Sequence, residues 1–311
     1  MFSRPLLRFF RDDKKIPFMR GRYAGLIASA ALSLLSIALF FKPGLELGLD
    51  FRGGIVVEAR TKGPADVPVL REALNKKGIT AAGIITFGAP DDVLIQLETP
   101  KAGADNNQET QRLVDRVRQT VEAAQPGAQI LRADAVGASI SQELFRNGIL
   151  ALLLSLGMIL IYIWVRFEWE FAISAVLTLV LDLTKTIGFL AITRIQFDLV
   201  MVAAILTILG YSTNDKVVVY DRVRENLRKY RKMNLRELLD LSINETLNRT
   251  LGTSSTVFLA ALPLAIFGGH SLSGFATVML FGIVIGTSSS IFIACPILLL
   301  LGAKRLRRDA S

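Results

Sequence analysis

The chain is 311 residues long, 51% of them hydrophobic, with a formal net charge of +9 and a mean hydropathy of +0.45. That is too apolar for an ordinary water-soluble domain, and the apolar residues collect in runs of about 18 or more, enough to cross a hydrocarbon core about 30 Å thick. The basic residues flank these runs and no basic stripe carries interleaved aromatics, so membrane orientation is the reading and nucleic-acid binding is not; the single cysteine, Cys295, excludes an intrachain disulfide and a cysteine-based metal site.

Residues 1–22 form a basic N-terminus with Arg4, Arg8, Arg11, Lys14, Lys15, Arg20 and Arg22. The apolar run 23–41 follows. Ala28-Ser29-Ala30 imitates a cleavage site, but the run continues well past it, so an uncleaved first span is expected. Residues 42–145 read as one water-soluble domain. Strands are expected at Ile55–Arg60, Ile84–Phe87, Val93–Leu97 and Gln129–Ala133. Helices are expected at Asp66–Lys77, with Asp66 as N-cap, and at Thr110–Ala124, where Leu113, Val114, Val117 and Val121 share a face. The order β-α-β-β-α-β is the split-βαβ, ferredoxin-like arrangement. That fold hosts many functions and does not choose among them.

Five more spans are expected at about 147–166, 171–193, 198–219, 252–268 and 274–301, within a bundle covering 147–301. Between the fourth and fifth spans, the segment 220–250 carries Arg222, Arg224, Arg228, Lys229, Arg231, Lys232 and Arg236. Lys304, Arg305, Arg307 and Arg308 occupy the tail 302–311, whereas the loops at 194–198 and 269–273 carry only Arg194. The positive-inside rule then places both termini and 220–250 in the cytoplasm and 42–145 on the far side, the periplasm of a Gram-negative cell. Residues 234–250 show Leu235, Leu238, Leu239 and Ile243 on one face, an amphipathic helix lying on the membrane surface or against the bundle.

Asp182 stands near mid-span, and Lys185 three residues on shares its helix face. A carboxylate at that depth costs about 2.5–3.5 kcal/mol on insertion, so a protonatable group facing the bundle interior is the functional reading and a helix-pinning ion pair the plain one. In the fourth span Tyr211, Ser212, Asn214 and Asp215 suggest a wet path or an interhelical hydrogen-bond network. Lys216 either snorkels to the interface or is buried. The four-residue spacing of Ser212 and Lys216 invites a Ser-Lys nucleophile, but no oxyanion site or substrate groove accompanies it, so no enzyme activity and no cofactor are expected. Gly282 and Gly286 form a G-x-x-x-G packing motif followed by Ser288-Ser289-Ser290. His270, in a short loop, has no second ligand nearby for a metal.

Three stretches carry a family resemblance: Gly48-Leu-Asp50-Phe51-Arg52-Gly53-Gly54 after the first span, Gly210 to Asn226 with Asp221-Arg222 closing the fourth, and Ser242 to Thr250 leading into the fifth. In this order they resemble the SecD/SecF family of bacterial protein-export membrane subunits over nearly the whole chain, on the SecF side because a SecD chain has a larger periplasmic region. The resemblance implies a SecD-like partner, the SecYEG channel, YajC and YidC. It implies a bundle like that of resistance-nodulation-division transporters. It also implies use of the proton-motive force to pull exported unfolded polypeptides forward across the inner membrane. Asp182 matches the family's intramembrane carboxylate; the residues themselves, not the resemblance, add Lys185, Asp215 and Lys216 to the expected ion relay. The chain departs from the pattern at Leu181, commonly His, and at Lys185 and Lys216, commonly uncharged. Two other readings compete: a small-molecule efflux component, which needs an aromatic-rich pocket where residues 42–145 offer little beyond Phe51 and Phe87, and an assembly subunit with no ion role.

Overall fold

Six helices among the described residues are long and apolar enough to cross a membrane. The computed structural model describes residues 16–79, 81–86, 89–97 and 107–302. Arg4, Arg8, Arg11, Lys14, Lys15, Phe87 and the basic tail residues Lys304 to Arg308 lie outside that set. Two compact units emerge, one formed by Leu47–Leu150 with Phe197–Leu199 and the other by the rest of the chain.

The smaller unit holds a four-stranded antiparallel sheet, order β2-β3-β1-β4: β1 (Gly54–Arg60), β2 (Ala81–Thr86), β3 (Asp92–Leu97) and β4 (Gln129–Val136). A short helix α2 (Leu49–Arg52) precedes β1, and α3 (Val67–Lys76) and α4 (Asn107–Ala124) provide the helical connections. The Asp66 side chain accepts a hydrogen bond from the Val69 backbone at 3.1 Å, a cap for the otherwise orphaned N–H groups of α3. Alternation along β1 turns Ile55, Val57 and Ala59 to one side. They pack with Leu70 and Leu74 of α3, Val117 and Val121 of α4, and Val93, Ile95 and Leu97 of β3.

The larger unit contains α1 (Arg22–Phe41), most of α5 (Ala138–Arg166), α6 (Trp169–Thr193), most of α7 (Leu199–Lys229), α8 (Leu235–Phe267), α9 (Gly269–Ser289) and α10 (Cys295–Gly302). A π turn, Ser290–Ala294, joins the last two. α6, α7 and α9 with α10 are the inner helices, half or more buried; α1, α5 and α8 expose most of their apolar surface, as lipid-facing helices do.

Several boundaries differ from those expected. α7 continues ten residues past 219 and α8 begins at Leu235, so 220–250 is two helix extensions joined by a short turn, not a separate segment. At 1.5 Å per residue α7 reaches about 46 Å, longer than the hydrocarbon core it crosses. The amphipathic stretch 234–250 is the first half of α8 and lies against the bundle: Leu235, Leu238, Leu239 and Ile243 pack with Met19, Ile163, Phe171, Val219 and Tyr220. Asn244 clasps the chain before α1, accepting from the Ile16 N–H and donating to the Ile16 carbonyl, both at 2.9 Å. Asp240 accepts from the Met19 N–H at 2.7 Å. His270 belongs to the first turn of α9, not to a loop.

Candidate functional site

The polar centre of the helical unit is built on α6. Asp182 is 1% exposed, and one of its oxygens, Oδ2, gathers three donors from two other helices. Ser289 Oγ, at the end of α9, donates at 2.6 Å; Ser212 Oγ on α7 donates at 3.0 Å; Lys216 Nζ on α7 donates at 3.3 Å. The other oxygen, Oδ1, faces Lys185 Nζ at 3.5 Å. Lys216 is fully buried, so it does not snorkel, and its ammonium also donates to Ser212 Oγ and, at 3.3 Å, to Ser289 Oγ. A buried charge is tolerable only when paired and hydrogen-bonded. Here one carboxylate stands between two lysines, and two serine hydroxyls relay contacts between the charged groups.

Asp215, 5% exposed, looks elsewhere. A step of one residue turns a helix by about 100°, so Asp215 faces α8 and α9 while Lys216 faces α6. Asp215 Oδ2 accepts from Ser254 Oγ and Thr287 Oγ1, each at 3.4 Å, and those two hydroxyls are 2.7 Å apart. Among the described residues no lysine or arginine forms an ion pair with it. The bundle thus holds two buried carboxylates of different character, one bridged to ammonium groups and one surrounded by hydroxyls.

The approach of α9 to α7 depends on the glycines of the G-x-x-x-G motif. A Cβ on Gly282 would come within 2.3 Å of Ile208, and one on Gly286 within 3.0 Å of Ser212 Oγ. The π turn that follows positions Ser289. It also presents the Ala294 carbonyl sideways, where Ser174 Oγ of α6 donates to it at 2.7 Å and in turn accepts from Tyr220 Oη at 3.0 Å. π turns recur at functional positions in helices.

The structure separates the residues expected to form one network along the fourth span. Ser212, Asp215 and Lys216 are buried, but Tyr211 is half-buried and Asn214 is exposed. Helical phase turns Asn214 outward, so it takes no part in the centre, whereas Tyr211 stands one turn before Asp215 on the same side of α7 and is covered only in part. Ser289, Ser254 and Thr287 complete the site from α9 and α8 and were not singled out as ligands of the carboxylates. Their one signal was the density of hydroxyls in otherwise apolar spans, at Thr253-Ser254-Ser255 and Thr287-Ser288-Ser289-Ser290.

The motif residues have structural partners. Gly48 N–H donates to the Phe197 carbonyl at 2.8 Å, and Asp50 Oδ2 accepts from the Leu199 N–H at 3.0 Å, so this carboxylate caps the first turn of α7. Phe51 meets the Phe145 ring edge to face and the Phe197 ring at a tilt, each with centroids 5.3 Å apart. Arg52 ends α2, Gly53 turns the chain at φ +70°, and Gly54 has φ +128° with its Cβ position 2.6 Å from the Leu97 carbonyl, a place only glycine fits. Asp221 pairs with Arg166 at 3.1 Å. Arg222 binds Glu225 at 2.6 Å and Glu245 at 2.7 Å, and Asn226 reaches the same Glu245 at 2.7 Å, tying α7 to α8.

Residues 116–304 match the family described as protein export membrane protein SecD/SecF, C-terminal, and residues 38–65 match the SecD/SecF GG motif. A protein translocase subunit SecF from Rickettsia bellii is 38% identical over 303 residues, covering 97% of this chain and 98% of that one. A protein translocase subunit SecDF from Brucella abortus is 41% identical over 95% of this chain but only 38% of its own length. The crystal structure of SecDF, a translocon-associated membrane protein from Thermus thermophilus, superposes with a TM-score of 0.82 at 32% identity, covering 94% of this chain and 39% of that one. The chain belongs to the SecD/SecF family of protein-export membrane proteins, as a translocase accessory subunit of the inner membrane.

Proposed function

We propose that the chain couples ion movement through its bundle to late steps of protein export, together with a SecD-like partner, and catalyses no reaction of its own. The observation that carries this reading is the pair of buried carboxylates among hydroxyls at the meeting of α6, α7, α8 and α9. An intramembrane carboxylate is expensive to keep and is retained where it serves an ion path. Of the two, Asp215 is the better exchanger. Its donors are neutral hydroxyls at 3.4 Å, which yield readily to an arriving proton or cation. Asp182 must first give up one of four donors, two of them ammonium groups. Asp182, Lys185 and Lys216 then serve as the fixed counter-charge that holds the inner helices in register.

A SecD-like partner is supported by the fused relatives, in which this chain corresponds to about two fifths of the length. It would supply the rest of a bundle of the resistance-nodulation-division type, and the family resemblance adds SecYEG, YajC and YidC. The basic ends of α7 and α8 favour a cytoplasmic location for both termini. Residues 42–145 are then periplasmic, and their β-α-β-β-α-β order is that of a ferredoxin-like module suited to meet the emerging chain.

The test is export into inverted membrane vesicles carrying the complete complex. Asp215→Asn is expected to assemble at normal yield and lose the gradient-dependent part of export, while Asp182→Asn loses assembly and export together. Full gradient-dependent export by Asp215→Asn removes the assignment. Collapsing the proton and sodium gradients separately identifies the ion.

A further inference from the structure

We propose that a basic cavity at the ends of α5 and α7 is a binding site for the phosphate-bearing headgroup of an anionic lipid. The cavity is about 440 Å³ and is lined by Arg166, Asp221, Arg224, Glu225, Arg228 and Lys229. Arg166 is the last residue of α5. The other five recur at i, i+3, i+4, i+7 and i+8 along α7, which places them on a single helix face.

The carboxylates in this lining are already engaged. Asp221 pairs with Arg166 at 3.1 Å, and Glu225 pairs at 2.6 Å with Arg222, which lies outside the lining. Arg224 donates from Nη1 to the Arg166 carbonyl at 3.2 Å. Its Nε is buried with no hydrogen-bond partner, 3.9 Å from the Glu168 carboxylate. Arg228 and Lys229 are exposed and form no ion pair among the described residues; Lys229 rests over the Tyr230 ring at 5.2 Å. The cavity therefore carries more fixed positive charge than its own acids balance. Guanidinium groups present paired N–H donors that match phosphate oxygens.

Depth in the bilayer selects the source of that phosphate. Trp164 and Trp169 flank Arg166 and are 62% and 40% exposed, and Tyr162 is 54% exposed. Exposed tryptophan and tyrosine at the ends of membrane helices mark the headgroup level. A basic pocket opening between helices at that level meets phosphate on lipids. Its size lies within the range of small-molecule sites.

The full chain, purified in detergent, is titrated with phosphatidylglycerol or phosphatidylcholine and read by native mass spectrometry. Phosphatidylglycerol is expected to be retained at least fivefold more strongly. The double variant Arg228→Gln, Lys229→Gln should bring the two lipids level. The double variant Arg231→Gln, Lys232→Gln, which removes the same charge outside the cavity, should leave the preference intact. Melting curves with phosphatidylcholine check that both variants fold; should the first not, Arg228→Gln alone carries the same readout. Equal loss of preference in both pairs overturns the site in favour of diffuse surface charge. Displacement of the lipid by millimolar inorganic phosphate overturns the lipid assignment in favour of a soluble anion.

Discussion

In the sheet unit the core from Ile55 and Val57 through Leu74 to Val117 and Val121 is apolar throughout, and the Arg60–Asp92 ion pair sits at the end of β1 and β3, with its arginine exposed. In the helical unit the arrangement is reversed. Asp182, Lys185, Asp215 and Lys216 are each no more than 5% exposed, while Leu153, Met158, Ile161 and Val165 of α5 face outward. Water rewards the first pattern through hydrophobic burial. Lipid gives no such reward for hiding a leucine, and polar groups seek one another inside the bundle. The same side-chain chemistry thus means different things in the two units: an ion pair is trim on the sheet and the organising feature among the helices.

Breaking that contrast from the helical side should have the largest effect. Asp182→Leu leaves Lys185 and Lys216 buried without their carboxylate and is expected to cost about 3–5 kcal/mol. The double variant Asp182→Leu, Lys216→Met removes both members of a pair and should be less destabilised than the single one. Unfolding of the full chain in lipid nanodiscs measures both, and a double variant worse than the single would mean that the pair does not act as a unit.

The matching change on the sheet side is a cavity, not an orphaned charge. Leu74→Ala at a fully buried position is expected to cost about 3 kcal/mol. Hydrogen exchange should show the loss in β1 to β4 while the inner helices keep their protection. Loosening of α6 and α7 would show instead that the two units share one cooperative core.

The smallest effect concerns the rim pair. The hydrogen bond from Arg60 holds the Asp92 carboxyl below the ordinary carboxylate range. Its contribution is therefore complete above the unfolded value near pH 4 and disappears as pH falls through the lower folded value, with no change around neutrality. Protection of the β1–β3 amides should weaken on acidification in the parent and show a smaller acid-dependent loss in Arg60→Gln.

Periodicity carried much of this architecture. The alternation at Ile55, Val57 and Ala59, the helical face of Leu113, Val117 and Val121, and the six apolar runs were readable because each repeats over a whole element. Asp182 and Lys185 were readable as a pair because one helix fixes their spacing. Their partners were not, because Ser289 approaches from a helix over a hundred residues away and no local rule links the two. Asn214 shows the opposite case: polarity grouped it with Ser212 and Asp215, although the phase of the helix turns it outward. The continuous α8 was read as two pieces because charged residues give way to apolar ones near Thr250 while the backbone passes through without a break.

The π turn at Ser290–Ala294 gives the last span a mechanical property that a regular helix lacks. It inserts an offset into the count of residues per turn, so α9 and α10 keep their own angular settings and each chooses its own buried face. Ala276, Met279 and Ile283 point inward before it, Cys295 and Leu298 after it. Removing one residue here would shorten no loop. It would rotate the closing helix by about 100° against everything that precedes it, as a skipped tooth mistimes a gear. The spacing between Ser289 and Cys295 is thus a setting of the whole bundle, carried in five residues.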